Sequence, residues 1–236
     1  MKTYARSALA WTCFAGLCVP FLSGASGGCD RFIGDTYDVD AKGIPAFVGT
    51  DYIELAKIGH ISKFRSGVGH SYTDDFESCR SMKHYFEPKE DVDWSTVKVL
   101  SPVAGSVARL DEEWIGTQVR IRSRRYPAFE FILFHVNLSG PLHVGDAVAA
   151  GQELGTLVGT QSLSDIAVKV NTPRGTKMVS YFSVLTDDVF GQYQARGLAS
   201  REDAIIPEDV RDAHPLTCSG ETFADGGTLE NWVTLN

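Results

Sequence analysis

The feature that most constrains the fold is a succession of eight short β-rich runs between residues 97 and 182, separated by Gly and Pro. Apolar and polar residues alternate in several runs, as Val119 and Ile121 do with Arg120 and Arg122. Such alternation predicts an antiparallel sheet with one buried face. The predicted strands are residues 97–100, 105–110, 117–123, 129–137, 147–149, 154–158, 165–170 and 177–182.

The segments on either side of this core have other patterns. Residues after 186 are predicted to be helical and then irregular, with Ser200 and Asp203 capping one turn and Pro207 starting a short helix. We therefore expect a mainly β fold with short flanking helices. Its predicted parts are a segment of the same domain at 29–95, the β core at 96–185, and a C-terminal helical and irregular extension at 186–236.

The composition excludes several classes of function. With 43% hydrophobic and 22% charged residues, the chain is typical of a globular protein and unlike a disordered, collagen-like or polytopic membrane chain. It carries 22 Lys and Arg against 30 Asp and Glu, a formal net charge of -8. We predict no nucleic-acid partner, because neutralising phosphates requires clustered Lys and Arg.

The first 28 residues are predicted to be an export signal. Lys2 and Arg6 precede an apolar stretch at 8–22, which is followed by small residues. The stretch is shorter than the roughly 20 residues that a membrane-spanning helix needs. We therefore expect residues 1–28 to be removed and the protein to be secreted or to act at the cell envelope.

Three cysteines follow this signal: Cys29, Cys79 and Cys218. Three is an odd number for an oxidising compartment, where thiols tend to pair. Residues 26–29 (SGGC) resemble a bacterial lipobox, whose cysteine is acylated, although Ser26 stands where that pattern has an aliphatic residue. If Cys29 carries a lipid anchor, Cys79 and Cys218 are left to form one long-range disulfide. Otherwise, cleavage nearby gives a soluble secreted protein.

Residues 101–107 (SPVAGSV), 134–138 (FHVNL) and 144–155 (VGDAVAAGQELG) of the β core together resemble the LytM/lysostaphin-type metallopeptidases. Residues 101–107 (SPVAGSV) are similar to the family's Ala-Pro-x-x-Gly-x-Val strand, and residues 134–138 (FHVNL) to its Tyr-x-His-Leu segment. Residues 144–155 (VGDAVAAGQELG) are similar to its Gly-Asp-x-Val-x-x-Gly-Gln-x-Ile-Gly turn, which biotinyl/lipoyl-like hybrid folds share. The resemblance covers roughly residues 68–172 and implies an antiparallel β-sandwich of lysostaphin type with a duplicated hybrid motif.

The resemblance also implies a zinc site. The family binds Zn²⁺ through His-x-x-x-Asp and the second His of a His-x-His strand, and here His70 and Asp74 match the first pair. In the last strand Asp165 stands where the family has its third ligand. A register shifted by two residues instead places Ala167 there and leaves no metal site.

Two functions follow from the resemblance and stay open. In the first, His70, Asp74 and Asp165 hold Zn²⁺ for hydrolysis of a peptide or peptidoglycan-like substrate, and His135 assists proton transfer. Leu163 stands where the family has another histidine, for which His84 and His60 are candidate replacements. In the second, the chain is a catalytically inactive relative that serves as an envelope binding or regulatory module.

Overall fold

The computed structural model describes residues 35–236. The predicted export signal and the candidate lipidation site Cys29 lie outside the described residues. Within residues 35–236 no helix is long and apolar enough to cross a membrane.

Antiparallel β-structure dominates the described residues. Their strands are β1 (Ile58–Ser62), β2 (His84–Pro88), β3 (Lys98–Leu100), β4 (Gly105–Glu112), β5 (Thr117–Ser123), β6 (Phe129–Leu138), β7 (Ala147–Val148), β8 (Glu153–Leu157), β9 (Ser164–Thr172), β10 (Gly175–Val179), β11 (Cys218–Ser219), β12 (Thr222–Phe223) and β13 (Trp232–Thr234). Their α-helices are short: α1 (Val39–Lys42), α2 (Tyr181–Val184), α3 (Asp187–Gln194) and α4 (Glu208–Ala213). The predicted fold class, an antiparallel β core with short flanking helices, is confirmed.

Eleven strands form one hydrogen-bonded sheet with the main order β13-β1-β2-β9-β6-β5-β4-β7. β10 pairs with β9, and β3 pairs with β8, which itself pairs with the end of β6. β11 and β12 form a separate two-stranded hairpin. Residues of β3 and β8 share one hydrophobic core with residues of β5, β6 and β9, as expected of a β-sandwich.

The eight predicted runs coincide with β3 to β10 to within a few residues. The last run was expected to reach residue 182, but β10 ends at Val179 because Ser180 caps α2, its Oγ accepting from the Phe182 N–H at 3.2 Å. β1, β2 and β13 were not predicted. The chain end, expected to be irregular, forms β13, which pairs with β1 through Val233 and Ile61.

The two central strands, β6 and β9, are buried on both faces rather than on one. Phe131, Leu133 and Val168 face the main core, whereas Phe134 and Ala167 face a second, smaller cluster. The prediction of a single buried face is therefore wrong for these strands. The second face is covered because the segment before β2 folds across it, contributing Phe64, Met82 and the half-buried Tyr72.

The predicted disulfide is confirmed. Cys79 and Cys218 are bonded, with Sγ atoms 2.03 Å apart, across a sequence separation of 139 residues. The bond joins the segment before β2 to the β11–β12 hairpin. It therefore fixes the C-terminal extension against the second face of the sheet.

Candidate functional site

A buried lysine lies between two of the predicted metal ligands. Lys83, which directly precedes β2, is 1% exposed, and Asp165 on β9 is fully buried. The Lys83 Nζ donates to Asp165 Oδ2 at 2.5 Å and lies 3.1 Å from His70 Nε2. The position between the imidazole and the carboxylate is therefore filled by a cation that belongs to the chain.

Three aromatic rings surround the Lys83 ammonium. Its Nζ lies 4.0 Å from the ring centroid of Phe134, 5.1 Å from that of Tyr72 and 5.0 Å from that of Tyr85. Such ring faces attract a desolvated cation. Burial opposes the charged form of Lys83, but the charge of Asp165 outweighs it and raises the lysine pKa above its ordinary value. Lys83 is therefore an ammonium at neutral pH.

His70 offers its free lone pair to this ammonium. Its Nδ1 is 3.1 Å from the Ser71 carbonyl oxygen, which can only accept, so the hydrogen-bond network assigns the ring proton to Nδ1. Nε2 then accepts from Lys83 Nζ. Burial, followed by the Lys83 charge, lowers the pKa of His70. The imidazole is thus neutral, and the lone pair that would bind a metal is already occupied.

The structure does not bring Asp74 to Lys83. Its Oδ1 accepts from the backbone N–H groups of Phe76 and Glu77, both at 2.9 Å, and its Oδ2 accepts from the Met178 N–H at 2.8 Å. This is a local carboxylate turn that ties its loop to β10. Both oxygens of Asp74 are therefore used by the backbone.

His135 lies at a bulge in β6. Val119 pairs with Leu133 and Thr117 pairs with Val136, so two residues of β6, Phe134 and His135, face a single residue of β5. The φ of His135 is 56°, in the left-handed region that non-glycine residues seldom adopt. The bulge redirects the imidazole out of the normal alternation of the strand.

The turn between β4 and β5 holds this imidazole. Glu113 Oε2 accepts from the His135 backbone N–H at 2.8 Å and lies 3.0 Å from His135 Nδ1, and His135 Nε2 is 3.9 Å from Asp165 Oδ1. Burial opposes protonation of His135, but the hydrogen bond to Glu113 and the charges of Asp165 and Glu113 outweigh it and raise its pKa. His135 thus lies beside Asp165, in a bonded pair with Glu113.

His84, one of the two candidate replacement histidines, lies elsewhere. Its ring is 1% exposed and bonded at both nitrogens, Nδ1 to the Ser62 carbonyl and Nε2 to Ser180 Oγ, each at 2.8 Å. Burial lowers its pKa to about 4. His84 is therefore a neutral, internally bonded core histidine.

These residues do not fit a zinc ion. Within residues 35–236 no three His, Cys, Asp or Glu side chains converge as a metal site would require. Only two of the three predicted ligands, His70 and Asp165, meet, and the Lys83 ammonium lies between them. A divalent cation at that point would face a buried like charge.

Two hairpins border the cluster. The β4–β5 turn carries Trp114, which is 73% exposed and whose ring lies 5.6 Å from that of His135. On the other side the β11–β12 hairpin pairs Thr222 with His70, and the Glu221 carbonyl accepts from the Ser71 N–H at 2.7 Å. An open recess of about 510 Å³ beside this hairpin is lined by Ser71, Tyr72, Thr73, Ser78, Cys79, Cys218, Gly220 and Glu221.

Lys83 and Glu113 were missed by the sequence analysis. Lys83 stands in the run Met82-Lys83-His84-Tyr85, where a lysine on an exposed strand face is the ordinary interpretation. Glu113 follows two other acidic residues in a hairpin turn, so the local sequence does not distinguish it from an ordinary exposed glutamate. No motif marked either residue, although the position of Lys83 between Met82 and the aromatic run of residues 84–86 (HYF) was a usable signal.

Comparisons with known proteins identify remote similarities. No protein-family model matches the chain, and no curated protein matches it. A Ruminococcus gnavus protein assigned as a glycyl-glycine endopeptidase lytM is 17% identical, with a TM-score of 0.35 over 43% of each chain. Lysostaphin in solution is 15% identical, with a TM-score of 0.31 over 51% of each chain. The chain thus spans about half, or less, of these proteins. At such TM-scores the likeness carries no argument, and the family resemblance rests on the sequence motifs.

Proposed function

We propose that the protein is a non-catalytic binding module of the cell envelope. The observation that supports this most is the Lys83 ammonium, which contacts both His70 and Asp165 at hydrogen-bond distance. Peptide hydrolysis of the kind implied by the resemblance needs three protein ligands and an open position for a metal-bound water. Here Lys83 neutralises the carboxylate of Asp165 and occupies the Nε2 lone pair of His70. The envelope location rests on the export signal predicted from the sequence.

The partner we propose is a peptide or peptidoglycan-like polymer that binds across the cluster between the two hairpins. Trp114 offers an exposed ring on one side, and the recess beside Glu221 offers hydroxyl, carbonyl and carboxylate groups on the other. An aromatic ring beside polar groups suits the mixed apolar and polar faces of sugars and short peptides.

We expect the purified mature protein to contain no stoichiometric zinc and to leave peptidoglycan peptides uncleaved. The reason is that a zinc ion would have to displace the buried Lys83 from Asp165. Elemental analysis after zinc reconstitution, together with a peptide-cleavage assay, measures both properties, with an authentic zinc endopeptidase as the positive control. One zinc per chain that is lost in both His70→Ala and Asp165→Ala, accompanied by cleavage, would favour the zinc-peptidase hypothesis instead.

We expect the protein to co-sediment with purified peptidoglycan, and Trp114→Ala to weaken that binding by about tenfold, as loss of an aromatic anchor does. The matched control is Val144→Ala, because Val144 is also a large exposed apolar residue, 64% exposed, and precedes β7. Equal losses in the two variants would contradict the proposed surface. No sedimentation of the unaltered protein would contradict the peptidoglycan-like partner.

A further inference from the structure

We propose that the cluster of His70, Asp165 and the surrounding aromatic rings is a binding site for a primary ammonium group, and that the Lys83 side chain is its resident occupant in place of a divalent metal. This inference is independent of what the protein binds at its surface. It concerns whether the buried cluster binds an ammonium group or a divalent metal ion.

The hydrogen-bond geometry matches an ammonium. An ammonium has three N–H donors beyond its carbon stem. Around Lys83 Nζ, two acceptors are Asp165 Oδ2 at 2.5 Å and His70 Nε2 at 3.1 Å. The third contact is a cation–π interaction with the ring face of Phe134, whose centroid is 4.0 Å from Nζ. An aromatic face cannot ligate zinc, which takes nitrogen, sulfur or oxygen ligands at about 2.0–2.3 Å.

The charges match a monovalent cation. The carboxylate that contacts Lys83 is that of Asp165, and His70 is neutral because its Nε2 accepts from the ammonium. His135 and Glu113 form a separate bonded pair, with His135 Nδ1 3.0 Å from Glu113 Oε2. One ammonium therefore balances one carboxylate, whereas a divalent ion would leave an uncompensated buried charge.

Removing the Lys83 side chain would leave the buried carboxylate of Asp165 without a cation to balance its charge. Asp165 Oδ1 is buried and has no hydrogen-bond partner, and the His135 imidazole approaches it no closer than 3.9 Å, through Nε2. Without Lys83, Oδ2 would lose its partner too. The variant Lys83→Ala would keep the carboxylate and the rings, and would open a cavity with the shape of a propylammonium ion.

The test is the thermal unfolding of Lys83→Ala in the presence of propylammonium. We expect the variant to unfold about 10 °C below the unaltered protein, because breaking a buried ion pair leaves an unpaired charge. Propylammonium at ten times its Kd is expected to raise the unfolding midpoint by about 4 °C. Neutral 1-propanol at the same concentration should not, and neither additive should stabilise the unaltered protein, whose site is filled.

Two control variants isolate the site. Lys83→Ala combined with Asp165→Asn removes the carboxylate, so its midpoint should not respond to propylammonium. Lys98→Ala removes an exposed lysine paired with Glu153 at 2.9 Å and should not respond either. If Lys83→Ala does not fold alone, its refolding yield with propylammonium against 1-propanol is the readout. The proposal is overturned if propylammonium gives no rescue, or if Zn²⁺ stabilises Lys83→Ala more than propylammonium does.

Discussion

Replacing both Cys79 and Cys218 by serine is expected to lower the free energy of unfolding by about 4 kcal/mol. The disulfide closes a loop with a sequence separation of 139 residues, and cross-linking a long loop removes much conformational freedom from the unfolded chain. For a chain of this length the unfolding midpoint should fall by about 10 °C. Denaturant unfolding of the variant and the oxidised protein measures the difference.

Removing the disulfide should also loosen the cluster of His70, Lys83 and Asp165. The disulfide holds the β11–β12 hairpin, which pairs Thr222 with His70 and bonds Glu221 to Ser71. The unaltered protein under reducing conditions is the control and should match the double variant. Equal stability of the double variant and the oxidised protein would contradict the prediction, since it would mean that the hairpin is held by its other contacts alone.

The second large effect is a pair of opposing pH dependences from two buried groups. His84 titrates in the folded state with a pKa of about 4, below its ordinary 6.5, because it is buried. As the pH falls from 6.5 to 4, His84 binds a proton in the unfolded chain but not in the folded protein. His84 therefore makes stability rise with pH across this window, by about 3 kcal/mol in total.

Asp51 acts in the opposite direction. It is buried against Tyr193 and Tyr181, whose hydroxyls donate to its carboxylate at 2.6 and 3.0 Å. Burial nevertheless dominates and raises its pKa from 3.8 to about 6. Between these values the folded protein keeps a proton that the unfolded chain has lost, so stability falls as the pH rises, by about 3 kcal/mol in total.

Between pH 4 and 6 the two contributions should nearly cancel in the unaltered protein. In Asp51→Asn stability is expected to rise with pH relative to the unaltered protein, and in His84→Gln to fall, each by about 2 kcal/mol between pH 4 and 6. Denaturant unfolding at closely spaced pH values gives the curves, and subtracting that of the unaltered protein removes the contributions of other groups. A curve for Asp51→Asn that runs parallel to the unaltered one would show that Asp51 is already ionised at pH 4.

The β core was predictable because its signals are local. Alternation and the Gly and Pro boundaries identified β3 to β10, since both depend on neighbouring residues only. β1 was missed because four of its five residues are buried, which leaves no period of two to detect. The disulfide was predictable because the cysteines that follow the predicted signal leave few pairings.

The interior of the candidate site was not predictable by the same means. The segment His-x-x-x-Asp, for which the resemblance implied a ligand pair, forms a turn in which Asp74 accepts from amides two and three residues later. Lys83 meets Asp165 only because β2 and β9 pair with Tyr85 opposite Asp165. That register links residues about eighty positions apart, and no local pattern encodes it.

The bulge at His135 also fixes the phase of β6. Before it, the odd-numbered Phe131 and Leu133 face the main core, and after it the even-numbered Val136 does. The first half pairs with β9 and the second with β8. Sliding β6 by one residue would turn the apolar residues of both halves away from the main core. Because the two halves are out of phase with each other, a strand without the bulge could direct the apolar residues of only one half into the core. The bulge that places the His135 imidazole beside Asp165 therefore also permits only one alignment of β6, the longest strand in the sheet.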